Sequence, residues 1–453
     1  MSIFKYFYRH VVTSPNRNYI FHANRFISYI DAYRAVKKIA NSIALLKPQA
    51  DCAVLNFREP QKILLSFWAC TLLDIDIILA PEIPKDQLNS QLSNTGLNVD
   101  IILSDFISGQ NCYDPLINYD SDSNEMVDDF IDRKTINSSV YFFTSGTTNR
   151  SKFVETTFFQ FENAIDCILQ NNLMEYIYFQ NVVITVPLFH SYGISAMIEY
   201  TSGGSCIFLP KNINPIEPLQ TLLQKEVRFL ATAIEGVPYF YKTLLRLSPR
   251  FHFPNLRHIG FGGDIVPKQL FQQISTTIPN TSISIRYGVT EIPSVIALLV
   301  LKCPKRLINH LGEVLPIYST RLSHDSLDSP NEGELIVSCF KHRNIKEEIQ
   351  TGDIMKYVDN SLTFVRRKIS VKRRGYRINP VEIESLVNQN TNILDSRAYV
   401  LEERLILELV AQQTFDIKCI KALLSEKLPS SMVPDEITFV NHIRRTKTGK
   451  IIR

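Results

Sequence analysis

An α/β fold in two parts is predicted by three features of the sequence. Several stretches repeat one grammar, an amphipathic helix, a stop signal and a short apolar strand, which argues for parallel-rich sheets covered by helices. The chain has 453 residues, whereas single hydrophobic cores stop growing at roughly 250 to 300 residues. Near its end the same pattern restarts on a smaller scale, as a compact α+β domain.

The elements follow in order. Leu88 and Leu92 stand one helical turn apart, Gly96 can end that helix, and 99–103 read as a buried strand. Residues 120–139 are polar and acid-rich, a surface connection ahead of a central strand at 140–143. Phe161, Ala164, Ile165, Ile168 and Leu169 have helical spacing, and the apolar run 182–186 follows as a strand. Leu219, Leu222 and Leu223 precede a strand at 227–231 in the same way. In the terminal part, Pro380 opens a helix carrying Ile383, Leu386 and Val387, strands follow at 397–400 and 405–410, and Asp416 caps a last helix that Pro429 stops.

Composition excludes several classes. The formal charge is only +4, and the basic stretches 366–377 and 444–450 are broken by glycine and apolar residues, so no nucleic-acid tail is expected. The eight cysteines form no close pair, which argues against a zinc site or a dithiol motif. Residues 1–12 lack a cleavage signal, and no apolar run approaches the ~20 residues that span a bilayer. A cytoplasmic protein without a membrane span is the expectation.

The most informative stretch is Tyr141-Phe-Phe-Thr-Ser-Gly-Thr-Thr-Asn-Arg-Ser-Lys152. An apolar strand runs into a turn of hydroxyls and glycine closed by a lysine. Thr144, Ser145, Gly146, Thr147 and Thr148 can wrap a polyphosphate while Lys152 neutralises it. The spacing of a Walker loop is absent.

These residues resemble the phosphate-binding loop of the adenylate-forming superfamily: acyl-CoA synthetases, peptide-synthetase adenylation domains and luciferases. Six more segments resemble that family's motifs in the family's order. They are Pro187-Leu-Phe-His-Ser-Tyr-Gly193 (acyl site), Gly262-Gly-Asp264 (adenine turn), Tyr287-Gly-Val-Thr-Glu291, Thr351-Gly-Asp353 (ribose), Gly375-Tyr-Arg-Ile-Asn-Pro-Val-Glu-Ile-Glu384 (start of the mobile domain) and Arg445-Thr-Lys-Thr-Gly-Lys450 (terminal catalytic loop). The resemblance implies a large adenylation domain over 1–366 and a small mobile lid over 367–453, with ATP and Mg²⁺ as cofactors.

Joining a carboxylate to the α-phosphorus of ATP brings two anions together, so cations and fixed donors must do the work. Lys450 is the expected catalytic cation; outside its Thr-x-Thr-Gly-Lys setting it would read as a solvated lysine. Thr290 offers a hydroxyl to phosphate, and Glu291 a hard oxygen to Mg²⁺. Asp353 can accept from two ribose hydroxyls, against the alternative of a turn residue after Gly352. Tyr287, before Gly288, offers a flat face to adenine or else packs in the core. His190 stands at the acyl-pocket entrance with Ser191, Tyr192 and Gly193, or is a packed histidine bonded to a carbonyl. Arg366 reads as the arginine before the hinge, which makes Lys368 the hinge; in the shifted register Arg367 takes that role and Ile369 is the hinge.

The phosphate loop departs from the family pattern at Asn149, Ser151 and Phe153, where the pattern has glycine, proline and glycine. Asn149 is a mild change because asparagine tolerates positive φ, while Phe153 is expected to burden the loop, so that glycine at both positions is tolerated or raises activity. The acyl segment carries no acidic residue to pair with a substrate ammonium, which disfavours an α-amino acid and favours acyl or aryl acids. The acceptor is a phosphopantetheinyl carrier protein or CoA, with a slight lean to the carrier. A non-catalytic scaffold or sensor descended from the same family is the competing class.

Overall fold

A computed structural model describes all residues except 1–2, 94, 110, 115–137, 145–151, 215, 248–252, 303–309, 324–330, 359–360, 369–370, 374–375, 379, 391, 402–403, 413–415, 429–431, 446–450 and 452–453. For 144, 152, 371–373 and 376–377 it describes the backbone only. By compactness the chain forms two units, Met1–Ser319 with Ser338–Glu347, and Thr320–Val337 with Glu348–Arg453. Asp353 and Arg366 therefore belong to the second.

The first unit is built on two sheets. One has nine strands; at its centre Ser282–Tyr287, His258–Gly262, Ala233–Gly236, Asn181–Ile184, Cys206–Phe208 and Asn18–His22 lie side by side and parallel. Strands buried on both faces need near-continuous apolar runs, and Ala233–Gly236 and His258–Gly262 are buried at every position. The other sheet has six strands, parallel through Ile101–Ser104, Cys52–Asn56, Asp76–Leu79 and Ser139–Thr144, and ends on the antiparallel Lys152–Thr157. Helices Phe4–Thr13, Tyr29–Leu46, Pro60–Leu73, Phe158–Gln170 and Ser191–Ser202 pack with both sheets into one large core around Trp68. Trp68 donates its indole N–H to the Tyr19 hydroxyl at 2.6 Å, which satisfies a polar group that burial would otherwise strand.

One expectation is corrected. Residues 227–231 are not a strand: Lys225–Leu230 is a short helix that buries only Val227, and the strand is the next apolar run, Ala233–Gly236. Val-Arg-Phe-Leu suits either period, and the charged Lys225 and Glu226 let the segment stay at the surface as a helical turn.

The second unit holds Ser361–Arg367 paired antiparallel with residues 353–358 of the strand Ile345–Val358, and a three-stranded sheet of Ile393–Leu401, Arg404–Ala411 and Glu436–Phe439. Helices Pro380–Val387 and Ile417–Lys427 cover the latter over a separate core of Ile383, Val387, Leu405, Leu407 and Leu424. Asp416 caps the last helix as expected, accepting from the Lys418 N–H at 2.9 Å. Among the described residues no helix is long and apolar enough to cross a membrane.

Candidate active site

Three motif segments of the first unit follow the carboxyl ends of parallel strands in the nine-stranded sheet. Asn181–Ile184 leads to the acyl segment, His258–Gly262 to the adenine turn, and Ser282–Tyr287 to Gly288, Thr290 and Glu291. Open α/β sheets bind ligands at these ends because the loops there converge. Gly263 has φ +78°, a left-handed turn that glycine adopts without strain, and it presents the exposed Asp264. The backbone leaves Tyr287 in an excursion that returns at Ile296, whose N–H donates to the Tyr287 carbonyl at 2.7 Å. Inside it, the Thr290 carbonyl accepts from the Thr156 hydroxyl at 3.2 Å, tying the loop to the strand that returns from the phosphate loop.

His190 is half-buried, in extended backbone at the N-cap of helix Ser191–Ser202, with its ring centroid 4.6 Å from that of Phe189. Gly193 sits where any β-carbon would overlap the Pro187 carbonyl, so the helix can approach its own entry strand. Tyr192 turns inward. A β-carbon at Gly262 would lie 2.8 Å from the Tyr192 ring, so acyl segment and adenine turn meet there without intervening atoms.

Beneath this junction lies a buried charge cluster that the motifs do not announce. Arg286, one residue before Tyr287, places Nη2 2.6 Å from Glu199 on the acyl-site helix and Nη1 3.7 Å from Glu235 on Ala233–Gly236, two strands away in the sheet. The Arg286 side chain is 2% exposed and the two glutamates 0%, so the full cost of desolvation falls on this geometry. Glu235 accepts from the Tyr192 hydroxyl at 2.7 Å and from the Tyr200 hydroxyl at 2.9 Å. Burial nevertheless raises its pKa above the usual carboxylate range, with Arg286 opposing. Ser294, in left-handed backbone at φ 65°, donates its hydroxyl to Glu199 at 2.5 Å and its N–H to Ser195 at 3.0 Å. The loop bearing Thr290 and Glu291 is thereby fastened to the acyl-site helix. His258, stacked on Tyr176 at 3.7 Å, is held neutral by burial and by Arg286.

The phosphate-loop hairpin joins Ser139–Thr144 to Lys152–Thr157 with Thr144 opposite Lys152, while Ser145, Gly146, Thr147 and Thr148 lie outside the described residues. Phe153 does not lie in the loop. It lies inside the strand opposite Phe143 and stacks on Tyr141 with centroids 5.0 Å apart and planes 9° apart. Phe153→Gly therefore removes an aromatic pair and adds backbone freedom to a strand, and is expected to cost about 2–4 kcal/mol of first-unit stability, not to raise activity. Denaturant unfolding checks this; an unchanged midpoint contradicts it.

In the second unit Asp353 is 4% exposed and paired across the sheet with Arg367, whose Nη1 lies 2.5 Å from its carboxylate. Arg366 points to the other face and binds Glu332 at 2.7 Å. Arg367, not Arg366, is thus the arginine brought to Asp353. Lys368 is tied twice, through its N–H to the Gly352 carbonyl at 2.7 Å and its ammonium to Glu334 at 2.5 Å. Lys450 lies outside the described residues.

The sequence profile of the AMP-binding enzyme family matches residues 7–339. The chain belongs to this family. It is similar to the 2-succinylbenzoate–CoA ligase of Oceanobacillus iheyensis, 24% identical over 97% of this chain and 96% of that one. Its fold matches an O-succinylbenzoate coenzyme A synthetase from Bacillus subtilis solved with ATP and magnesium, at TM-score 0.78 and 18% identity over 99% of this chain and 98% of the other. A benzoate CoA ligase from Burkholderia xenovorans matches at TM-score 0.78 and 16% identity, over 100% and 98% of the two chains. The family and these relatives make the chain an acid–thiol ligase that uses ATP, the catalytic one of the two classes open on the sequence. Among the described residues, the left-handed turn at Gly263 leaves room for a nucleotide to approach, and Glu291 carries a hard oxygen of the kind that suits Mg²⁺.

Proposed function

We propose that the chain activates a compact aromatic carboxylic acid as its acyl-adenylate and passes the acyl group to coenzyme A. The observation that carries this reading is the full-length similarity to ligases whose names join an aryl acid to CoA. The earlier lean toward a carrier protein yields to it. The acyl segment supports the acid, since the half-buried His190 offers a ring and residues 187–193 include no acidic side chain to receive an ammonium.

In this reading the residues divide the work by charge. Lys152 and the hydroxyls of 144–148 hold the polyphosphate, Thr290 donates to phosphate, and Glu291 takes the magnesium that neutralises phosphate charge. Tyr287 and the Gly262–Asp264 turn receive adenine; Asp353 and Arg367 receive the ribose. His190 and Tyr192 border the acid, and Lys450 stabilises charge on the α-phosphate during attack. The chain pivots after 366. With Arg367 in the ribose role the pivot residue is Ile369, two positions on, and the doubly tied Lys368 is not free to turn.

Incubation with ATP, an aryl acid and either CoA or a pantetheinylated carrier tests the acceptor. Thioester on CoA alone is the expected result, and thioester on the carrier alone contradicts it. A bidentate ribose contact is charge-assisted, so Asp353→Ala is expected to raise the ATP requirement about tenfold or more. ATP titration of the folded variant measures this, and an unchanged affinity removes Asp353 from the site.

A further inference from the structure

Tyr192 belongs by position to the acyl segment, yet three contacts fix it from three directions. Its hydroxyl donates to the wholly buried Glu235 at 2.7 Å. Its ring lies against the bare α-carbon of Gly262, where a β-carbon would be 2.8 Å away. The Arg286 guanidinium stands 5.2 Å from its centroid. The volume behind it is already filled. Glu235 occupies the place a β-carbon of Gly260 would take, and its second oxygen accepts from Tyr200 at 2.9 Å.

We propose that Tyr192 is the end wall of the acid pocket and that Glu235 is the positioning residue that holds it there, so that the enzyme accepts compact acids and rejects long alkyl chains. A chain reaching past Tyr192 must displace the ring from Glu235. It then breaks a hydrogen bond to a desolvated carboxylate and lays methylenes against Glu235 and Arg286 instead of against an apolar tunnel. An aryl or short acyl group meets only the ring face and edge. The inference rests on the proposed acid–thiol ligase reading and names the size class of its substrate.

The test uses the full chain and non-reactive acyl-sulfamoyl adenosines bearing benzoyl, butyryl, octanoyl and dodecanoyl groups, with binding read by calorimetry. The corresponding acids are run in pyrophosphate exchange. The wild type is expected to bind the benzoyl analogue more tightly than the dodecanoyl one by about 100-fold, and Tyr192→Ala to reduce that ratio about tenfold or more. Tyr192→Phe keeps the ring but loses the hydrogen bond to Glu235, and is expected to reduce the ratio as Glu235→Ala does. Glu235→Ala reduces the ratio, whereas Glu235→Gln, whose amide oxygen still accepts from the tyrosine, restores it; a purely structural role would lower all affinities together and leave the ratio unmoved. Thermal unfolding of each variant identifies any that fail to fold, and Tyr192→Phe against Glu235→Gln then carries the comparison. Equal ratios in the wild type and Tyr192→Ala, or equal wild-type affinity for benzoyl and dodecanoyl analogues, overturn the wall. If the ratios behave as expected but no acid supports exchange, the wall stands and the ligase reading fails; if exchange runs and the ratios do not move, the reverse holds.

Discussion

Lys450→Ala is expected to lower pyrophosphate exchange on the order of 100-fold or more while leaving thioester formation from a supplied acyl-adenylate near the wild-type rate. The pentavalent α-phosphorus, with its added negative charge, forms only when the carboxylate attacks. A fixed cation there stabilises that transition state by several kcal/mol more than it stabilises the bound substrates. In the second half-reaction the thiol attacks the acyl carbonyl, and negative charge develops on the carbonyl oxygen and on the oxygen that leaves with AMP, with no pentavalent phosphorus to stabilise, so a lysine placed for the first step has less to do. The two rates are measured separately, exchange with labelled pyrophosphate and transfer with synthetic acyl-adenylate and CoA. Equal slowing of both would mean that one arrangement of the chain serves both steps and that the pivot after 366 is not used.

Arg286→Met is expected to produce the largest loss of stability, about 3–5 kcal/mol, because it leaves Glu199 and Glu235 buried without their cation. The two carboxylates share this one guanidinium, and methionine fills its volume without its charge. The effect reaches the site through Ser294, which holds the Thr290 and Glu291 loop to Glu199. Adding Glu199→Gln to Arg286→Met removes one of the stranded charges and is expected to recover part of the loss. Urea unfolding of the single and double variants measures both. A loss below about 1 kcal/mol for the single variant would show that the cluster does not act as a buried ion pair.

Much of this architecture was legible because parallel strands buried on both faces leave a strong apolar signal, and because motif segments sit where such strands end. The strands at 139–144 and 181–184 and the capped helix after Asp416 all announce themselves in this way. The segment 227–231 did not, since a five-residue apolar run with one arginine satisfies both periods. The choice between Arg366 and Arg367 was beyond local pattern. It depends on a register shift between Ile354 and Met355, and a one-residue slip moves a side chain to the other face of the sheet. The Glu199, Glu235 and Arg286 cluster assembles from three distant segments, so no spacing rule could join them. A signal existed in each: a single charge inside an apolar run, Ile-Glu-Tyr, Ile-Glu-Gly and Ile-Arg-Tyr. Charges so placed are almost never buried unless paired, and three of them in one chain point to one another. Phe153 was misjudged for a related reason: family pattern made it a loop residue, whereas Tyr141 and Phe143 make it a strand residue.

Pyrophosphate exchange by the wild-type chain, with ATP, Mg²⁺ and a panel of aryl and short aliphatic acids, tests the central claim most directly. The account predicts exchange that requires both Mg²⁺ and an acid and is strongest with a compact aromatic one. A folded chain that binds ATP yet supports exchange with no acid in the panel would contradict it.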